Sequence, residues 1–183
     1  MRSKQYDAPA VDLRAPTEAD EAELLTLNQA SRAHYAPWVS PPVSAKQYAA
    51  YLERSRRADV CSRLICGPDG GPIVGVVTLS QIFYGPLCSA YMGYQVGAPF
   101  AGRGYASAGV GLMLSLAFGD LKLHRIEANI QPGNSASLAL VRRLGFTREG
   151  FSRRYLHIDG DWRDHERWAI LAEEWVDPAI RRG

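Results

Sequence analysis

The 183-residue sequence predicts an α/β (α+β) fold, a mixed and mostly antiparallel central sheet flanked by helices. Three observations carry this. The runs "VCSRLIC" and "PIVGVVTLS" flank "GPDGG", two β-rich segments around a turn that only a hairpin uses well. The stretch "HRIEANIQ", 124–131, alternates, with His124, Ile126, Ala128 and Ile130 on one face and Arg125, Glu127, Asn129 and Gln131 on the other. That period of two marks a strand with polar groups aligned on one side. It lies between two helical segments, so the second half mixes strands and helices in one sheet.

In chain order, "VDLRAP" (11–16) reads as a short strand entering a helix. Thr17 is its N-cap, and Asp20 three residues on gives a weaker form of the capping box. Ala22, Leu24, Leu25 and Leu27 form its apolar stripe. The Pro-rich, aromatic segment "AHYAPWVSPP" (33–42) reads as irregular. Ser44 with Gln47 opens a second helix, with Tyr48, Tyr51 and Leu52 on one side. After the hairpin, "YGPLCS" connects to a strand, "AYMGYQVG" (90–97), followed by the loop "PFAGRGYASAG". Ala106–Phe118 is apolar almost all round, as in a buried helix. Beyond strand 124–131, "PGN" turns the chain, Asn134 caps the helix "SASLALVRRL", and Gly145 ends it. "FTREGFSRRYLHI" and "WRDHERWAIL", joined by "DGD", read as closing strands.

The length predicts a single domain over 1–183. Net charge is +2, from 21 basic and 19 acidic residues that are interspersed, so neither a nucleic-acid nor a membrane-surface role is expected. The basic cluster Arg54–Arg57 reads as a solvated helix face. Cys61, Cys66 and Cys88 have no metal-ligand spacing, and with four scattered histidines no metal site is expected. They read as reduced thiols. The N-terminus lacks the apolar stretch of a signal peptide and no 18-residue apolar run occurs, so a cytoplasmic location is expected.

Gly102 and Gly104 follow a strand and open a helix, the setting in which N-terminal amides and the helix dipole hold a phosphate. A dinucleotide fingerprint needs a third glycine and an acidic residue about 20 positions on. Ser107 and His124 stand there instead, and the loop lies mid-chain rather than at the first β–α turn. A Walker loop is excluded because Gly-Lys-Ser/Thr is absent.

The pairing of "PFAGRGYA" with "NSASLALVRRLGF" resembles the GNAT superfamily of acetyl-CoA-dependent N-acetyltransferases. "PW" at Pro37–Trp38, "HRIEA" at His124–Ala128 and "GFSRRYLHIDGDWRDH" at Gly150–His165 narrow the likeness to the ribosomal-protein-alanine N-acetyltransferase branch, over about residues 13–170. The resemblance implies the GNAT acyl-CoA N-acyltransferase fold and acetyl-CoA as donor. It also implies direct attack of an amine on the thioester, in a monomer or homodimer. Two positions depart from the family pattern. Pro99 replaces the loop's usual Arg or Gln, and Val141 replaces a tyrosine that protonates the departing thiolate.

On this resemblance, Val96, Ala101, Gly102, Arg103, Gly104, Tyr105 and Ala106 bind the cofactor. Asn134 contacts its pantetheine or thioester region. Glu127, the only acid within the central strands, is the expected base, directly or through water. Ser137, one helical turn before Val141, is the expected hydrogen-bond donor to the thiolate. Tyr35, Trp38 and Tyr155 are expected to line the acceptor groove, with His157 as a further candidate. Asp164, His165 and Glu166 read as structural, because they alternate along a strand. Three functions remain open: acetylation of a protein N-terminus, acetylation of a small amine such as an antibiotic, polyamine or amino acid, and a non-catalytic CoA-binding module.

Overall fold

The computed structural model describes residues 9–176; the N-terminal stretch 1–8 used in the targeting argument lies outside them. Seven strands form one sheet: β1 (Asp12–Arg14), β2 (Val60–Cys66), β3 (Ile73–Phe83), β4 (Ser89–Val96), β5 (Arg125–Ile130), β6 (Thr147–Ile158) and β7 (Asp161–Leu171). Their spatial order is β1-β2-β3-β4-β5-β7-β6. Every neighbouring pair is antiparallel except β4 and β5. A parallel pair needs a crossover, and the glycine loop with helix α4 (Tyr105–Gly119) supplies it.

Adjacent residues of β2 show how the two faces are covered. Ile65 joins the core beneath α4 and α5 (Ser135–Leu144), whereas Leu64 and Cys66 join a second core. That second core packs under α1 (Glu21–Ala30) and α3 (Ala45–Ser55). Helix α4 drives the larger core: Val110, Met113, Leu114 and Ala117 have no exposed surface, and each of the larger three contributes roughly 1.5–3 kcal/mol on burial. In β5, Ile126, Ala128 and Ile130 are buried and the polar residues alternate with them. His124 was placed on that apolar face by the alternation, but it lies outside the strand, exposed and beside Glu173. In α1 the buried stripe is Leu24 and Asn28, with Leu25 and Leu27 partly buried and Ala22 exposed. The segment read as irregular begins with a short helix, α2 (Arg32–Tyr35), whose Tyr35 is 4% exposed. Cys61 and Cys66 are buried free thiols.

The N-terminal helix is locked to the sheet through Asp20. Its carboxylate accepts from Arg14 Nη1 and Nη2 at 2.9 and 2.6 Å, and from Thr17 N and Oγ1 at 2.7 and 2.9 Å. The Arg14 guanidinium holds this carboxyl below its ordinary pKa against the opposing effect of burial. A carboxylate with a depressed folded pKa adds stability above its unfolded pKa and loses it as pH falls through the folded one. Asp20→Asn is therefore expected to lower stability at neutral pH by about 1 kcal/mol, below the full value of a hydrogen bond to a charged group because Arg14 is half-exposed. The difference from wild type should shrink below about pH 4. Urea titrations across pH test this; a difference independent of pH would refute it.

Candidate active site

The pairing of β4 with β5 stops early. Only Ser89–Arg125, Ala90–Ile126 and Tyr91–Glu127 face each other, although β4 continues to Val96 and β5 to Ile130. Each strand keeps its other neighbour over that length, β3 for β4 and β7 for β5. The sheet therefore splits at its centre without either strand losing its fold. A cleft of about 870 Å³ runs through the split and reaches both faces.

On the α4/α5 face the cleft is lined by Ala101, Gly102, Gly104, Ala106 and Ser107. Gly102 and Gly104 have φ of +71° and +88°, a conformation that glycine alone adopts without cost. Gly104 is the residue from which α4 starts, so the first α4 amides point along the helix axis into the cleft mouth with the positive end of the dipole. Across from them, Arg143 of α5 also lines the cleft and donates from Nη1 to Ser107 Oγ at 2.9 Å. Arg103 does not line it. Its guanidinium folds back to Pro99 O at 3.4 Å and over the Tyr105 ring at 5.6 Å. Tyr105 in turn packs edge-on against Phe100.

In the middle of the cleft lie Val96 and Tyr94 from β4, Asn129 from β5, and Asn134 and Ser137 from α5. Asn134 Oδ1 accepts from Ser137 N at 3.1 Å, which caps the helix. The Tyr94 hydroxyl donates to Ser137 O at 3.5 Å, and burial pushes its pKa up to about 12. Asn129 Oδ1 is buried with no hydrogen-bond partner. A buried acceptor of this kind calls for a donor, from an ordered water or from a ligand. Val141 is fully buried in the core and presents nothing to the cleft.

On the opposite face the walls are largely aromatic: Tyr35, Trp38, Tyr91 and Tyr155, with His34, Leu156 and His165. The neighbouring Tyr155 hydroxyl, together with burial, pushes the Tyr91 pKa up to about 12. His165 is 2% exposed. Among the described residues no aspartate or glutamate lines any part of the cleft.

A glycine-led helix start at one mouth and an amide-lined slot through a split parallel pair have the shape and the donors to take an extended acyl-CoA. The family model for the acetyltransferase (GNAT) domain matches residues 11–147. The chain belongs to the GNAT acetyltransferase family. It is therefore an acetyl-CoA-dependent N-acetyltransferase. A probable N-acetyltransferase, YjcK of Bacillus subtilis, is 36% identical over 126 residues, 69% of this chain and 70% of that one. The [ribosomal protein uS5]-alanine N-acetyltransferase of Escherichia coli is 36% identical over 109 residues, 60% of this chain. That match spans little more than half of the E. coli enzyme, 56%. Among solved structures, Mycobacterium smegmatis RimJ in complex with CoA-disulfide superposes with a TM-score of 0.86 at 32% identity, covering 95% of this chain and 88% of that one.

In this GNAT enzyme the cleft brings together ten of the residues expected from sequence: Tyr35, Trp38, Val96, Ala101, Gly102, Gly104, Ala106, Asn134, Ser137 and Tyr155. Three lie outside it. Arg103 and Tyr105 are engaged with each other, as described. Glu127 stands at the last paired position before the split, where Arg125 Nε holds its Oε1 at 3.0 Å. Arg125 also grips Glu149, whose carboxyl it holds below its ordinary pKa. His157 packs on Trp162 at the β6–β7 turn, away from the main cleft. Sequence reasoning missed Arg143, Asn129 and Tyr94, and it set His165 aside as structural. Asn129 was legible as a polar residue of an alternating strand. Arg143 and His165 carry no local motif that marks them.

Proposed function

We propose that this enzyme acetylates the N-terminal α-amine of a protein, such as a ribosomal protein, whose first residue is small. The observation that carries this reading is the acceptor mouth, which has no carboxylate among the described residues. A polyamine or aminoglycoside carries several cations, and burying them calls for carboxylates. A peptide N-terminus brings one amine followed by a neutral backbone, which suits a wall of tyrosines, a tryptophan and side-chain amides. The likeness to the uS5-alanine enzyme supports the same acceptor. Such an acceptor places the reaction in the cytoplasm, and the enzyme acts there as a monomer or homodimer over a single domain, 1–183.

In this reading the α4 amides, helped by Arg143, hold the phosphates, and the unpaired edge of β4 beyond Tyr91 faces the acyl group. Asn134 and Asn129 flank the pantetheine path. Ser137 donates a hydrogen bond to the departing sulfur. A serine hydroxyl is a weak acid, so the effect is electrostatic stabilisation rather than full proton transfer.

Acetyl-CoA is incubated with peptides that differ in their first residue, together with polyamines, aminoglycosides and free amino acids, and products are read by mass spectrometry. Acetylation is expected on Ala- and Ser-initiated peptides. With that acceptor, Ser137→Ala is expected to lower kcat about tenfold, the loss of one hydrogen bond to a charge, with little change in KM. Product on a small amine alone would refute the protein-N-terminus reading.

A further inference from the structure

Once the nitrogen attacks, it must shed a proton, yet among the described residues no carboxylate lines the cleft, Glu127 is held by Arg125, and His34, the other imidazole on the cleft wall, is exposed to water. We propose that His165 is the catalytic base of this enzyme, its Nε2 taking the proton that the acceptor nitrogen releases as the C–N bond forms. The lone pair of the amine makes that bond and the C–S pair leaves with sulfur. The proton held on Nε2 then reaches the thiolate through solvent, so amine and thioester become amide and thiol. The inference rests on amine acetylation and not on which amine is the acceptor.

The geometry favours this role in three ways. His165 lines the cleft from β7 while only 2% exposed, so it meets a ligand but little bulk water. Its Nδ1 lies 3.0 Å from Arg163 O. A carbonyl only accepts, so the neutral ring carries its hydrogen on Nδ1 and keeps its lone pair on Nε2. The Tyr155 ring packs edge-on against the imidazole at 6.1 Å and limits its rotation.

The groups around His165 keep it neutral. From β6 it meets Tyr155 and its register partner Ser152. The cleft residues of β5 beside it, Asn129 and Gln131, are uncharged, as is Tyr91 of β4. On its own strand the Arg163 carbonyl and Asp164 favour the charged form, and the guanidinium-bearing Arg163 and Arg167 lie two positions away on either side. Burial outweighs the Arg163 carbonyl and Asp164 and lowers the pKa of His165 from its ordinary value. The imidazole therefore keeps a free lone pair at neutral pH and charges only in acid.

The test compares wild type, His165→Gln, His165→Ala and Glu127→Gln in kcat at saturating acceptor from about pH 5 to pH 9, with whichever amine of the acceptor panel turns over. CoA affinity serves as the check on folding. Wild type is expected to show an acidic limb that His165→Gln abolishes, with a loss of about 100-fold and unchanged CoA affinity. Added imidazole should restore activity to His165→Ala. In the wild-type protein with CoA bound, the NMR resonance absent from His165→Gln should titrate below the ordinary histidine range. A His165→Gln enzyme within about threefold of wild type, below the smallest general-base effect, would overturn the assignment. So would a limb removed by Glu127→Gln alone, or a His165 that is charged at neutral pH. Turnover confined to a small amine would refute the protein-N-terminus reading and still test His165 on that amine.

Discussion

Replacing Gly104 by valine is expected to raise the dissociation constant for coenzyme A about 100-fold. Gly104 sits at φ +88° immediately before α4, and a β-branched residue is driven out of that region. The rotation needed to relieve the clash swings the first α4 amides away from the cleft mouth. Pro99 and Arg103 offer no substitute: proline has no amide hydrogen, and Arg103 is folded onto Pro99 and Tyr105. Losing two hydrogen bonds to a charged phosphate, at roughly 1.5 kcal/mol or more each, gives about 3 kcal/mol, hence the factor of 100. The strain on folding is about 1–2 kcal/mol, a Tm shift of roughly 2–8 °C for a domain of this size. Calorimetric titration of CoA alongside thermal melting separates the two effects. A variant that melts lower but binds CoA as wild type would show that the α4 amides do not hold the phosphates.

Arg143→Ala is expected to raise KM for acetyl-CoA by about 10- to 100-fold, the range of 1.5–3 kcal/mol for a hydrogen bond to a charged group. Arg143 is the arginine that faces Gly102 and Gly104 across the cleft, held there by Ser107. The decisive control is acetyl-pantetheine, which has the thioester but no phosphate. Its KM should be the same for variant and wild type. The wild-type KM for acetyl-CoA should also rise with salt more steeply than the variant's, because a screened cation has been removed. An equal loss with acetyl-pantetheine would assign Arg143 to packing of α5 instead.

These two residues illustrate what can be seen from sequence. Gly104 is conspicuous because its role is local: a glycine between a strand and a helix has few reasons to be there other than its backbone. Asn134 and Gly145 are conspicuous for the same reason, one capping α5 through Ser137 N and the other ending it at φ +93°. Arg103 and Arg143 differ in the other direction. Arg103 lies inside the motif and so attracted the cofactor role, but its guanidinium turns toward Pro99. Arg143 lies one residue before "LGF", where nothing in the local pattern distinguishes it from Arg142. Arg142 instead lies over the Trp168 ring at 5.2 Å.

Glu127 and His165 make the same contrast within the sheet. The alternation of 124–131 correctly placed Glu127 on the polar face of β5, but not how far along β5 the pairing with β4 persists. It persists to Glu127, so this carboxylate sits in a closed part of the sheet with Arg125, while Asn129, two residues on, faces the open cleft. His165, read as one of an alternating charged triplet, gained its importance from β6 packing Tyr155 against it.

The amino-acid sequence by itself determined the order of elements, the glycine loop that opens α4, the caps of α5 and membership of an acetyl-CoA-dependent class. The first three depend on backbone conformation and on periods of a few residues; the last rests on the resemblance of an ordered set of short motifs to a known family. Tertiary structure alone decided where the sheet splits, which arginine lines the cleft opposite the start of α4, that His165 reaches the cleft, and that no carboxylate of the described residues lines its walls. Those features depend on pairs far apart in the chain, such as Arg143 with Ser107 or Tyr94 with Ser137. Distance in space between such residues is set by packing, which no local pattern encodes.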